Sequence, residues 1–168
     1  LAKNAAVDVQ LRVLGKGRIQ PEHILLGEMT FDGRESLEDT LKEESFSVRR
    51  GSHIILLSDF LSPHDPRRII ASFRNRAATV TFIQILAQED LVIEEGSSVL
   101  LQDSETEEII EMDLDSSSIA LYYERLAQLQ EDLKREVLHR GGVFQVWPHS
   151  MDFRSGCNLL VQQDVLIL

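Results

Sequence analysis

The chain has 168 residues, of which 43% are hydrophobic and 27% charged, a balance that suits one domain with one sizeable core. Its 28 acidic against 17 basic residues give a formal charge of −11, which argues against sequence-independent nucleic-acid binding and against attraction to anionic membranes. The same charge favours a partner with a basic face. No apolar run approaches the roughly 20 residues that a membrane span needs. The start of the chain lacks a signal-peptide pattern. One cysteine, Cys157, excludes an internal disulfide framework and points to a cytosolic compartment.

In chain order, Val7 to Leu14 alternates apolar and polar residues, which predicts a strand with one wet face. Gly15-Lys16-Gly17 ends it, and Pro21 opens a short apolar turn through Ile24, Leu25 and Leu26. Ser36 is a candidate N-cap, with Asp39 three residues on, for a helix to about Glu44 that places Leu37 and Leu41 on one face. Ile54-Ile55-Leu56-Leu57 follows without any alternation. That predicts a central strand buried on both faces, ending on Ser58-Asp59. Asp59 then falls at the carboxyl end of a strand, where open α/β sheets place ligand sites. The plain alternative is that Asp59 ends a strand or shapes a turn.

Beyond Pro63, Asp65 is placed to cap a helix from Arg67 to Asn75, with Ile69, Ile70 and Phe73 turned inward and Arg67, Arg68, Arg74 and Arg76 outward. Ala78 to Leu86 is rich in β-branched residues and completes a βαβ unit. Ser97 to Gln102 and Glu107 to Met112 read as a hairpin about Asp103-Ser104-Glu105-Thr106. Seven carboxylates and no base lie between Asp103 and Asp115, without the spacing of a calcium loop. An exposed acidic hairpin is the reading, with Asp103, Glu105, Glu107 and Glu108 as contacts for a basic partner beside Asp59 and Phe60.

The longest helix is predicted from about Ile119 to His139. Its inner stripe is Leu121, Leu126, Leu129, Leu133, Val137 and Leu138, and Gly141-Gly142 stops it. Tyr122 and Tyr123 near its start read as packing residues. Val143 to Trp147 is the last strand, and Leu159 to Leu168 is apolar enough for either a final helix or an edge strand. The sum is an α/β doubly wound, mostly parallel sheet with an inserted acidic β-hairpin, in one domain over 1–168.

The phrase Ile54-Ile55-Leu56-Leu57-Ser58-Asp59-Phe60 resembles the fourth strand of von Willebrand factor A-like domains, which carries a metal-site aspartate. The order downstream is Val80 to Leu86, Ala87-Gln88-Glu89-Asp90-Leu91, an acidic hairpin from Gln102 to Asp113, and a helix with Tyr123 that ends at Gly141-Gly142-Val143. This resembles the bacterial branch known as domain of unknown function fifty-eight. The turn Asp103-Ser104-Glu105-Thr106 is similar to the Asp-x-Glu-Thr turn of that branch. The resemblance spans 1–147 and is firmest from His53.

What the resemblance implies is a metal-ion-dependent adhesion site for Mg2+, in a degenerate form, rather than a catalytic centre. Asp59 matches the last element of that site. Glu35 and Ser36 stand where a second loop supplies threonine, and the Asp-x-Ser-x-Ser motif is absent. Oxygen ligands in octahedral geometry suit magnesium. The chain is accordingly expected to be the later portion of such a domain, lacking its first strand. Relatives in that branch are associated with MoxR-type AAA+ ATPases, so the resemblance implies a non-enzymatic adaptor that docks on such a partner.

The alternative function is an α/β hydrolase or phosphotransferase that uses Asp59. No glycine-rich phosphate loop and no Gly-x-Ser-x-Gly elbow supports it. His53, His64 and His149 show no readable pairing with a nucleophile, and Cys157 reads as inert.

Overall fold

In the computed structural model, residues 11–12, 18–19, 41, 51–61, 65–73, 79–96, 98–102 and 109–165 are described. Three parallel strands make the main sheet, in the order β3 (His53–Ser58), β4 (Thr79–Leu86), β7 (Val143–Pro148). Ile54 lies beside Val80 and Leu56 beside Phe82, while Phe82 lies beside Phe144 on its other flank. Helix α1 (Pro66–Ser72) links β3 to β4, and α3 (Ser116–Leu138) precedes β7. A short helix, α2 (Gln88–Leu91), and an antiparallel pair, β5 (Ser98–Gln102) with β6 (Ile109–Asp113), lie between β4 and α3. Helix α4 (Phe153–Gln162) follows β7. Two short strands, β1 (Leu11–Arg12) and β2 (Arg18–Ile19), pair antiparallel as a separate ribbon.

Local chemistry accounts for the helix ends. Asp65 accepts the Arg67 N–H at 2.9 Å, and Pro66 occupies the first turn, where its missing N–H is no loss. Helix α3 starts at Ser116, three residues before the position expected from periodicity, because Asp115 caps it and accepts the Ser118 N–H at 2.7 Å. Its far end closes through Gly141 N–H to the Leu138 carbonyl and Gly142 N–H to the Val137 carbonyl, with Gly141 at φ 67°. That pair of bonds is the Schellman pattern. The apolar tail is a helix over Phe153–Gln162, capped by Asp152, which accepts the Ser155 N–H at 3.0 Å.

One face of the sheet carries the core. Leu56, Val80 and Phe82 meet Ile69, Ile70 and Phe73 around α1 and Leu133 and Val137 of α3, and Leu41 joins the same cluster. Leu41 is the described member of the helix expected over 36–44; Leu37 lies outside the described residues. On the other face α4 packs on β7. A Cβ on Gly156 would stand 2.7 Å from the Trp147 ring, so the missing side chain sets how closely helix and strand approach.

Two expectations are corrected by this arrangement. Among the described residues β3 pairs with β4 alone, so it lies at an edge of the sheet, and β4 is the strand buried on both faces. Ile55 and Leu57, on the face turned away from the core cluster, are 41% and 54% exposed. The inner stripe of α3 is also narrower than expected. Leu126, Leu133 and Val137 are buried, whereas Leu121 and Leu138, at the two ends of the helix, are exposed.

Candidate functional site

The carboxyl end of β3 turns sharply at Ser58-Asp59-Phe60-Leu61. The Ser58 hydroxyl accepts the Phe60 N–H at 3.1 Å, and Asp59 Oδ1 accepts the Leu61 N–H at 3.2 Å. Each is the local side-chain-to-backbone bond by which Ser and Asp favour turns. Phe60 takes φ 56°, a left-handed conformation that non-glycine residues seldom adopt. Burial holds it there: the ring is fully enclosed and stacks on Phe82 with centroids 5.1 Å apart.

Asp59 stays exposed at the tip of this turn, with one carboxylate oxygen occupied by the turn itself. Phe60, expected from the sequence to touch a partner, is instead a core residue and has no surface to offer. The rest of the expected set, Glu35 and Ser36 for metal and Asp103, Glu105, Glu107 and Glu108 for a partner, lies outside the described residues. Among the described residues no group of three or more metal-ligating side chains converges. Of the residues expected to hold magnesium, only Asp59 lies among the described residues.

Behind the turn lies a part of the site that the motifs do not reveal. Gln84, fully buried in β4, donates through Nε2 to the Asp59 carbonyl at 2.7 Å. Its Oε1 accepts from Gln130 Nε2 of α3 at 3.0 Å. Two sequence signals point to the pair. Gln84 interrupts the aliphatic run Phe82-Ile83-Gln84-Ile85-Leu86, and Gln130 takes a place on the stripe Leu126, Gln130, Leu133, Val137 at spacings of four, three and four. A polar side chain at such positions needs a buried partner.

Two further features lie at opposite ends of the sheet. Tyr122 donates to the Asp90 carbonyl at 3.0 Å, while Tyr123 donates to the Leu91 carbonyl and accepts the Ile93 N–H. The tyrosine pair thus fastens the segment after β4 to α3. At the amino end of β3, the exposed His53 has Nε2 2.7 Å from the Thr81 hydroxyl, and partial desolvation on that side holds the imidazole below its ordinary pKa. Cys157 is buried in α4.

The frame is a small α/β fold: a parallel three-stranded sheet flanked by helices, with an exposed carboxylate at the carboxyl end of one strand. No helix among the described residues is long and apolar enough to cross a membrane. In comparisons with known proteins, the chain matches no family profile, no curated protein and no solved structure.

Proposed function

We propose that this domain is a non-enzymatic protein-interaction module of von Willebrand factor A-like type, which docks a basic surface of its partner on the Asp59 turn. The observation that carries the reading is an exposed carboxylate on a backbone held by four defined contacts: the Ser58 and Asp59 side chains, the Phe60 ring and the Gln84 amide. A preorganised charge loses little conformational freedom on binding, which is how a short loop becomes an affinity determinant. The sequence adds further negative charge at Asp103, Glu105, Glu107 and Glu108, and the net charge of −11 favours approach of a basic partner. The resemblance to the branch associated with MoxR-type AAA+ ATPases supports such an ATPase as the partner. It also supports magnesium as the ion that Asp59, Glu35 and Ser36 would hold.

The test is binding of the purified chain to a MoxR-type ATPase from the same organism, read beside a thermal melt. Asp59→Asn, which removes the charge and keeps an oxygen to accept the Leu61 N–H, should weaken the Kd by about tenfold or more with the melting temperature unchanged. Equal affinity of variant and parent would overturn the assignment of Asp59.

A further inference from the structure

We propose that Gln84 and Gln130 form a directional carboxamide relay that positions the Asp59 turn from α3, so that a long helix on the core side of the sheet governs the order of the loop. That the loop docks a partner rests on the reading above; the relay itself rests on geometry. The Asp59 carbonyl has no proton to give, so Gln84 must present its NH2 to it, across 2.7 Å. This choice turns Gln84 Oε1 away, toward α3, where it requires a donor. Gln130 supplies one at 3.0 Å. The orientation of one amide therefore dictates the other. Neither residue touches the exposed Asp59 carboxylate; both are positioning residues.

Gln84 is fully buried, so its amide has no water to fall back on, and an unmatched end is costly. If position 130 becomes an acceptor, the favourable response is for Gln84 to rotate its amide by half a turn. That satisfies the helix side and sets oxygen against oxygen at Asp59. The turn then loses its hydrogen bond from β4, while the Phe60–Phe82 stack and the local bonds Phe60 N–H to Ser58 and Leu61 N–H to Asp59 still act on it.

Gln130→Glu makes the relay switchable without changing the shape of the side chain. Ionised, the introduced carboxylate accepts and cannot donate; protonated, its hydroxyl can donate to Gln84 as the amide did. The readout is amide hydrogen exchange at Phe60 and Leu61, expressed as the ratio of variant to parent at each pH so that the Asp59 carboxylate, common to both, cancels. Between about pH 8 and about pH 4, spanning the carboxylate range and any upward shift from partial burial, the ratio should fall from about tenfold toward unity.

Gln130→Met removes the donor without supplying a strong acceptor, so Gln84 keeps its NH2 on the Asp59 carbonyl and the ratio should stay near unity at every pH, while exchange in β4 follows global stability in both variants. Leu129→Ala, next to Gln130 on α3, serves as a control. It should lower global stability without singling out the two loop amides. Loop exchange in Gln130→Glu that tracks the parent at all pH values, or rises only in step with β4, would overturn the relay. Affinity for the ATPase is measured on the same variants. A loosened loop with unchanged affinity would count against the docking role and leave the relay standing.

Discussion

At the scale of single residues, two adjacent glycines do different work. Gly141 holds φ 67° with open space where a Cβ would be, so its cost on substitution is backbone conformation alone. Gly142 has an ordinary φ, yet a Cβ there would lie 2.0 Å from the Val80 carbonyl oxygen and 2.8 Å from a Val137 methyl. Neither the central strand nor the buried valine can give way easily. Gly141→Ala should therefore cost about 1 kcal/mol, the usual penalty for a left-handed alanine. Gly142→Ala should cost about 3 kcal/mol by forcing α3 and β4 apart. Urea denaturation of the two variants compares them directly, and equal midpoints would remove the close approach as the reason for the second glycine. The stop signal was plain in Gly141-Gly142, whereas the division of labour between them was not. It depends on Val80, which lies far away in the chain and arrives through sheet pairing.

At the scale of elements, what was legible was whatever a short window decides. The Asp65 cap, the two arms of the acidic hairpin, the long helix and the last strand rest on neighbours a few residues apart, and they stand within about three residues of where the pattern put them. Strand β3 shows where that kind of reading stops. A run such as Ile54-Ile55-Leu56-Leu57 tells how much apolar surface a strand carries, but the elements over each face decide how much is covered. Here α1 and α3 cover Leu56, and among the described residues nothing comparable covers Leu57. The Gln84–Gln130 contact escapes for the same reason, since 46 residues separate its partners. One-sided burial makes a sharp prediction for two identical neighbours. Leu56→Ala opens a hole among Phe60, Phe82 and Val137 and should cost about 2 to 5 kcal/mol. Leu57→Ala should cost less than about 1 kcal/mol, as exposed substitutions do. Denaturant titrations that gave both the same loss would mean that β3 is covered on both faces after all.

At the scale of the whole molecule, stability against pH is set in two separate windows. Asp115 and Asp152 are held below the ordinary carboxylate range by hydrogen bonds from Ser118 and Ser155 at the helix starts, and Asp132 by Gln128 and then Arg135. A carboxylate depressed in the folded state contributes stability above its unfolded pKa, and that contribution is lost as pH falls through the folded value. The window lies below about pH 4. His53 acts higher. Its side chain is exposed on one side and partly desolvated beside Thr81, which lowers its pKa, so the unfolded chain takes up a proton below about pH 6.5 more readily than the folded chain. The unfolded state binds more protons there, and stability must fall as pH falls. Approach to the isoelectric point near 4.8 works the other way, because the charge of −11 and its self-repulsion are being titrated off. Salt separates the two contributions, since screening weakens long-range repulsion more than it alters the local desolvation of the imidazole. In His53→Gln, thermal melts at about 0.5 M salt, where screening is strong, should lose the slope between about pH 6.5 and about pH 5 and keep the steep acid limb. A variant whose upper slope matches that of the parent would show that the imidazole on β3 plays no part in the acid sensitivity of the fold.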